Sequence, residues 1–460
     1  MDFVGTMLTT LKQPSGFWYT ILNSFKGAMG SYILAVILIA VLVRLLFCLV
    51  DIINKKVNMK NADLNAKMKP ELEAIQKRYG HDQRLLQQKQ SEIYKKYQFS
   101  MMGSCLPMLL TMILQFTVFL TLWNSLQAIS NYNISYQYEN MKYLYANVVM
   151  LNDDSNPASA DLKTLITEAK TADKAYDMEA KFVEEGEEKK LVITFVCADL
   201  NKNQTFDFAY DDFSGEGRVA NQEIYELLEK YVLPKAEEPT PGEGGEGGGE
   251  GSETSALEFV ADTGFNQDFI TLAEKTAKQY FKDTQEKFLW IKNIYRPESP
   301  TNPMFTKVEI TRYLSSYYTD EEKELEKTNK YEEKIFDCVI GENSMLTDIE
   351  KEHNGYYILT ILAVLTSFLS IWLSNKLMKR KGQPNAQPTN KLMYFMMPII
   401  MGIFTFMYTS LFAIYLIVGQ IMMIALTPLT TWIVKKWLDH DEKKKKDKAV
   451  IDIDYRRKDI

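Results

Sequence analysis

The chain has 460 residues, room for two or three domains, with 60 acidic against 53 basic side chains and a net charge of −7. Its mean hydropathy of −0.21 averages apolar runs of membrane-span length with strongly charged segments, which excludes both a purely soluble protein and one embedded throughout. The three histidines, His81, His353 and His440, are isolated, so zinc chemistry and histidine-based catalysis have no support.

In chain order, Met1 to Gln13 lacks a basic stretch followed by an apolar core, so the N-terminus is expected to be retained. Phe17, Trp18, Ile21, Leu22 and Phe25 recur at helical spacing, which predicts an interfacial amphipathic helix within residues 1–30. The first span, 31–53, contains Arg44 in the apolar run Ser31 to Val50. A guanidinium at the centre of a span costs about 2.5–3.5 kcal/mol, which makes Arg44 a functional candidate by default. Snorkelling is the bland alternative, since the nearer end of the run is only about 9 Å away at 1.5 Å per residue.

Residues 54–101 read as a basic helical hairpin. Leu72, Ile75 and Tyr79 follow Pro70 at helical spacing, Gly80-His81-Asp82 breaks the pattern, and Leu86, Ile93 and Tyr97 resume it. Lys77, Arg78, Arg84, Lys95 and Lys96 are the candidate contacts for a ribosome or anionic lipid; an ordinary positive loop is the competing reading. The second span is expected at 102–128. Residues 129–353 form a long acidic insertion, divided by a Gly/Glu-rich linker at 234–256. Before the linker, Leu191 to Cys197 and Gln204 to Tyr210 alternate like two strands of a hairpin. Its turn begins like a calcium loop, but Gln204 stands where glycine is needed and Tyr210 where glutamate is, so calcium is not expected. After it, Asn266 to Asn293 reads as one long amphipathic helix. Three further spans are expected at 354–375, 392–411 and 412–434. A basic loop, 376–391, lies between the first two, and a charged tail, 435–460, follows the last.

Charge sets the orientation. Residues 54–101 carry 11 bases against 5 acids, and 375–391 carry five bases and no acid. The segment 130–353 carries 46 acids against 24 bases. The basic segments are therefore placed in the cytoplasm and the insertion outside, which puts the N-terminus outside and the C-terminus in the cytoplasm. Cys48 and Cys105 lie in or beside spans, while Cys197 and Cys338 lie in the outer segment, where a disulfide between them stays open.

The run Gly103-Ser104-Cys105-Leu106-Pro107-Met108-Leu109-Leu110, with Val43-Arg44-Leu45 and Arg78-Tyr79-Gly80 before it, resembles the YidC family of membrane protein insertases. Phe288-Leu289-Trp290-Ile291, Tyr356-Tyr357-Ile358-Leu359, Met393-Tyr394-Phe395-Met396-Met397-Pro398 and Ala413-Ile414-Tyr415-Leu416 continue the likeness in order. The resemblance implies an all-α polytopic fold: a five-helix transmembrane core with a cytoplasmic hairpin, here carrying a small α+β outer insertion. It also implies a groove open to the cytoplasm and to lipid, with Arg44 in its wall. Gln115, Thr366, Ser367, Tyr415 and Gln420 are the candidate polar lining, because polar side chains in spans face protein or water. Met393, Met396, Met397, Met401 and Met407 suit a slide for varied apolar helices, though core filling explains them equally. The implied partners are nascent membrane proteins, the lipid bilayer, the ribosome and the Sec translocon, in a bacterial cell membrane. No cofactor or enzymatic step is implied, and the chain has no phosphate-loop motif. A secondary transporter would carry internal repeats or several buried charges, and a receptor scaffold would not need Arg44.

Overall fold

The structure is a computed structural model, described for residues 11–97, 99, 101–150, 157–185, 188–209, 266–301, 305, 307–318, 346, 349, 352–378 and 391–458; within these, the side chains of 101–105, 107–108, 391–393 and 445–458 and a few others are not described. The 234–256 linker, Cys338 and Tyr210 lie outside the described residues. The chain divides into two compact units.

One unit comprises 15–130, 287–300 and 354–460. It opens with α1, Phe17–Met29, which ends where Gly30 takes a left-handed φ of 77° and donates its N–H to Lys26 O at 2.7 Å. Trp18 Nε1 donates to Thr121 Oγ1 at 2.9 Å, while Phe17 is exposed. Ser31 then caps α2, its hydroxyl accepting the Ile33 N–H at 3.1 Å.

Helix α2 runs unbroken from Tyr32 to Tyr79. The first span and the first arm of the expected hairpin are thus one 48-residue helix, with Pro70 inside it. Pro70 removes one backbone hydrogen bond, to the carbonyl of Ala66, which water can satisfy at an exposed position. After Gly80 and His81, the Asp82 carboxylate caps α3, Gln83–Lys96, by accepting the N–H groups of Arg84 and Leu85 at 3.0 and 3.1 Å. Helix α3 folds back along α2: Lys96 Nζ and Tyr97 OH both reach Glu71 Oε1 at 2.7 Å.

Four helices among the described residues are long and apolar enough to cross a membrane. They lie in α2, in α4 (Met101–Met150), in α8 (Ile358–Met378) and in α10 (Ser410–Lys458). Where the fourth of the five spans was expected, at 392–411, α9, Lys391–Met407, is an apolar helix of 17 residues, about 25 Å long against a hydrocarbon core of about 30 Å. Only Tyr408 and Thr409 separate it from α10, so the tight turn falls a little before the expected boundary at 411. At the other end of the spans, Met59 packs with Val434 and Leu438. There the Lys56 ammonium lies 3.3 Å from the Trp437 ring centroid and 3.0 Å from Asp441, tying the tail end of α10 to α2.

The other unit comprises 1–14, 131–286 and 301–353. It holds α5, Pro157–Thr171, a three-stranded antiparallel sheet in the order β1-β2-β3, and two further helices, α6 (Asn266–Thr284) and α7 (Lys307–Tyr317). The strands are Asp177–Glu185, Glu188–Cys197 and Lys202–Ala209. Ile193 pairs with Ala180 on one side and Phe206 on the other. Leu191, Ile193, Phe195 and Cys197 all point into the core, as a period of two requires. Helix α6 packs on β1 and α5 on β3. The expected hairpin is β2 and β3, joined through Asn201 in a left-handed conformation. β1 is an addition to it, and α6 stops at Thr284 rather than continuing to Asn293.

The same unit buries a charged pair. Lys142 Nζ lies 3.0 Å from Glu139 Oε1, and both side chains are almost wholly inaccessible. The Tyr318 hydroxyl donates to the same carboxylate at 2.8 Å, and Asn140 Nδ2 donates to Tyr280 OH at 2.7 Å. Burying a carboxylate is tolerable only when it is paired and hydrogen-bonded in this way.

Candidate functional site

Arg44 lies in the second half of the apolar part of α2, and its side chain is half-buried in a cavity of about 230 Å³. The polar members of the wall are Arg44, Gln115 from α4 and Tyr415 from α10; the rest is apolar and includes Phe47, Phe116, Phe119 and Met401. Two features of α10 make room for the guanidinium. Gly419 has no side chain, and a Cβ there would lie 3.2 Å from Arg44 Nε. One turn on, Met423 offers only its sulfur, 4.0 Å from Arg44 Nη1. Among the described residues Arg44 forms no ion pair, so the cavity presents a guanidinium with no carboxylate in contact, within apolar helices.

Three candidates stand elsewhere. Thr366 donates its hydroxyl to Leu362 O at 2.7 Å, while Ser367 and Gln420 are buried; none of the three contributes to the cavity wall. A hydroxyl bonded back to its own helix needs no aqueous partner, so a polar residue in a span is not by itself a lining residue. Met401 reaches the wall, Met396, Met397 and Met407 are exposed, and the Met393 side chain is not described.

Below the cavity, Asn54 Nδ2 donates to Thr111 Oγ1 at 2.9 Å and Lys55 Nζ to Thr430 Oγ1 at 2.6 Å. Sequence reasoning missed these cross-helix contacts, since a lysine or asparagine just past a span gives no sign of its partner. Lys77, Arg78, Arg84, Lys95 and Lys96 are all exposed. Lys96 is paired with Glu71, and the hydrogen bonds from Lys96 and Tyr97 hold the Glu71 carboxyl below its ordinary range.

At the far end of the spans, the segment 287–300 acts as a clasp. Phe288 and Ile291 exchange backbone hydrogen bonds at 2.9 and 2.8 Å. The buried Glu298 carboxylate accepts four donors: Trp290 Nε1 at 2.9 Å and the backbone N–H groups of Tyr356, Ile358 and Leu359 at 3.1, 2.8 and 2.7 Å. It therefore caps α8 from 60 residues away and complements that helix's positive end. Gly355 is required at this clasp, because its φ is 122° and a Cβ would lie 2.5 Å from Glu298 Cγ. Arg296 O accepts both the N–H and the hydroxyl of Ser410, each at 2.8 Å, at the start of α10. The Phe-Leu-Trp-Ile motif and the third expected span, separated in sequence, are thus joined in one structure.

Apolar helices of span length around a charged internal cavity define a polytopic helical membrane protein. Residues 24–184 match the model of the family described as 60Kd inner membrane protein. The chain is similar to the membrane protein insertase YidC of Oleidesulfovibrio alaskensis, 34% identical over 105 residues, which are 23% of this chain and 18% of that protein. It is similar to the insertase YidC of Clostridium tetani at 32% over 103 residues, 22% of this chain and 43% of the relative, and to that of Fusobacterium nucleatum at 28% over 109 residues, 24% and 50%. The similarity to this family is carried by residues 24–184, about a third of the chain. The matched stretch spans less than half of the first two relatives' own lengths, and no solved structure matches.

Proposed function

We propose that this protein is a membrane protein insertase, acting on nascent transmembrane segments in a bacterial cell membrane. The observation that carries the reading is Arg44, in no ion pair among the described residues, in a cavity of about 230 Å³ among span-length helices, in a chain whose relatives are named insertases. In this reading the client enters from the cytoplasm and its polar flank finds hydrogen-bonding partners at Arg44, Gln115 and Tyr415. Its apolar part then leaves sideways into lipid, driven by hydrophobic transfer and the membrane potential. No covalent step or nucleotide is involved. The exposed bases of α2 and α3, with the lysine-rich end of α10, suit the ribosome as the source of clients; assistance to the Sec translocon fits the same geometry. The basic segments then face the cytoplasm and the acidic insertion faces outward.

The test is insertion of a short single-span client into liposomes that hold only this protein. Protease-protected client above the empty-liposome level supports the reading, and Arg44→Ala is expected to lower it several-fold for a client with an acidic translocated flank. Wild-type protein that is folded yet inserts none of several clients would replace it with an accessory role beside another translocase.

A further inference from the structure

The face of α2 that carries Arg44 continues toward the expected cytoplasmic side. Residues seven and eleven positions on, Asp51 and Lys55, return to within about 20° of the same line at 100° per residue. Lys55 is engaged: its ammonium lies 2.6 Å from Thr430 Oγ1 on α10. Asp51 is half-buried, and the two cations that act on it are Lys55 and Arg44, neither of which closes an ion pair with it among the described residues. Thr430 is buried and bonded back to Leu426 O as well, so the partner that holds the Lys55 ammonium belongs to the packed structure. A carboxylate therefore stands about 10 Å along the helix from the cavity guanidinium, on the same face of α2.

We propose that Asp51 is a specificity-determining residue that receives a lysine or arginine flanking the client's apolar segment, while Arg44, two turns deeper, receives an acidic flank. This deepens the insertase reading and rests on it. Opposite charges at fixed depths on one helix face would set the register of the client. A basic flank stops at Asp51, because going deeper brings it against Arg44. An acidic flank is repelled at Asp51 and drawn past it. In a partly desolvated site each contact discriminates far more strongly than on an open surface.

Cys48, a half-buried free thiol one turn from Arg44 on the same side of α2, is a built-in reporter of that register. The experiment uses the full-length protein with its other three cysteines changed to serine, reconstituted in liposomes. The clients each carry one cysteine four residues inside a flanking Lys, Gln or Glu, and disulfide capture by Cys48 is measured alongside insertion. The expected result is at least threefold more capture for the Lys client than for the Gln client, and least for Glu. In Asp51→Asn the Lys-to-Gln ratio falls to about one, and Asp51→Glu restores it. Equal capture of Lys and Glu clients by the wild-type residue set, or an unchanged ratio in Asp51→Asn, overturns the assignment. If none of the clients is inserted, the insertase reading itself fails, a separate outcome because insertion is read independently of capture.

Discussion

At the residue scale, two positions control the cavity and its roof. A leucine at 419 would fill the space that Arg44 occupies, since even a Cβ there sits 3.2 Å from the guanidinium. Gly419→Leu is therefore expected to lower insertion of an acidic-flank client as far as Arg44→Ala does, as read by protease protection, while the Arg44→Ala/Gly419→Leu pair falls no further. Glu298→Ala leaves three backbone N–H groups and an indole without their acceptor, the Leu359 N–H buried and the other three part-buried. An orphaned buried donor costs about 1–3 kcal/mol, so with partial relaxation the loss is expected to be about 3 kcal/mol, measurable as a clear drop in the thermal midpoint in detergent. Neither role is legible in the sequence. Gly419 is one glycine among 22, and Glu298 sits in an acidic segment where carboxylates are commonplace. What marks them is the neighbour each meets through folding.

At the element scale, α2 and α3 are held at their expected cytoplasmic ends by Glu71 with Lys96 and Tyr97. Because the Glu71 carboxyl is depressed by these donors, its contribution is complete above the unfolded value of about 4.3 and is lost as pH falls through the lower folded value. Hydrogen exchange in α3 is accordingly expected to be constant from neutral pH down to the carboxylate range, once corrected for intrinsic rates, and to accelerate below it. Glu71→Gln should show the faster exchange at every pH. The periodicity of Leu72, Ile75, Leu86 and Ile93 announces two helices here, and the Gly-His-Asp break announces the turn. The fusion of the first arm with the span was hidden, because Pro70 reads as a boundary in sequence and is accepted inside α2 where its lost bond is exposed.

At the scale of the whole molecule, the last segment of the insertion, 301–353, is flanked by residues of the membrane unit that meet at one place, where Asn354 N donates to Ser299 O at 2.9 Å. Deleting 301–353 and joining the cut ends with a short glycine linker is expected to preserve the α8 cap and client insertion. The other unit should lose stability, since Tyr318 no longer serves the buried Glu139–Lys142 pair. Limited proteolysis of the two units, followed separately, checks both halves of that expectation. Protection lost equally in both would mean that the insertion supports the membrane unit after all.

Local pattern alone carried the apolar runs, the basic and acidic segments, the hairpin of β2 and β3 and the order of family motifs, because span length, charge and period are properties of neighbouring residues. It also singled out Arg44, since a charge in an apolar run stands out without any partner. Folding decided the rest. It brought Arg44, Gln115 and Tyr415 to one cavity while leaving Thr366, Ser367 and Gln420 out of its wall. It added β1, whose alternation is diluted by glutamates, and it closed Glu298 onto a helix start 60 residues away. Those outcomes depend on which helix faces meet, and a one-dimensional pattern records which residues a helix carries without recording what stands opposite them.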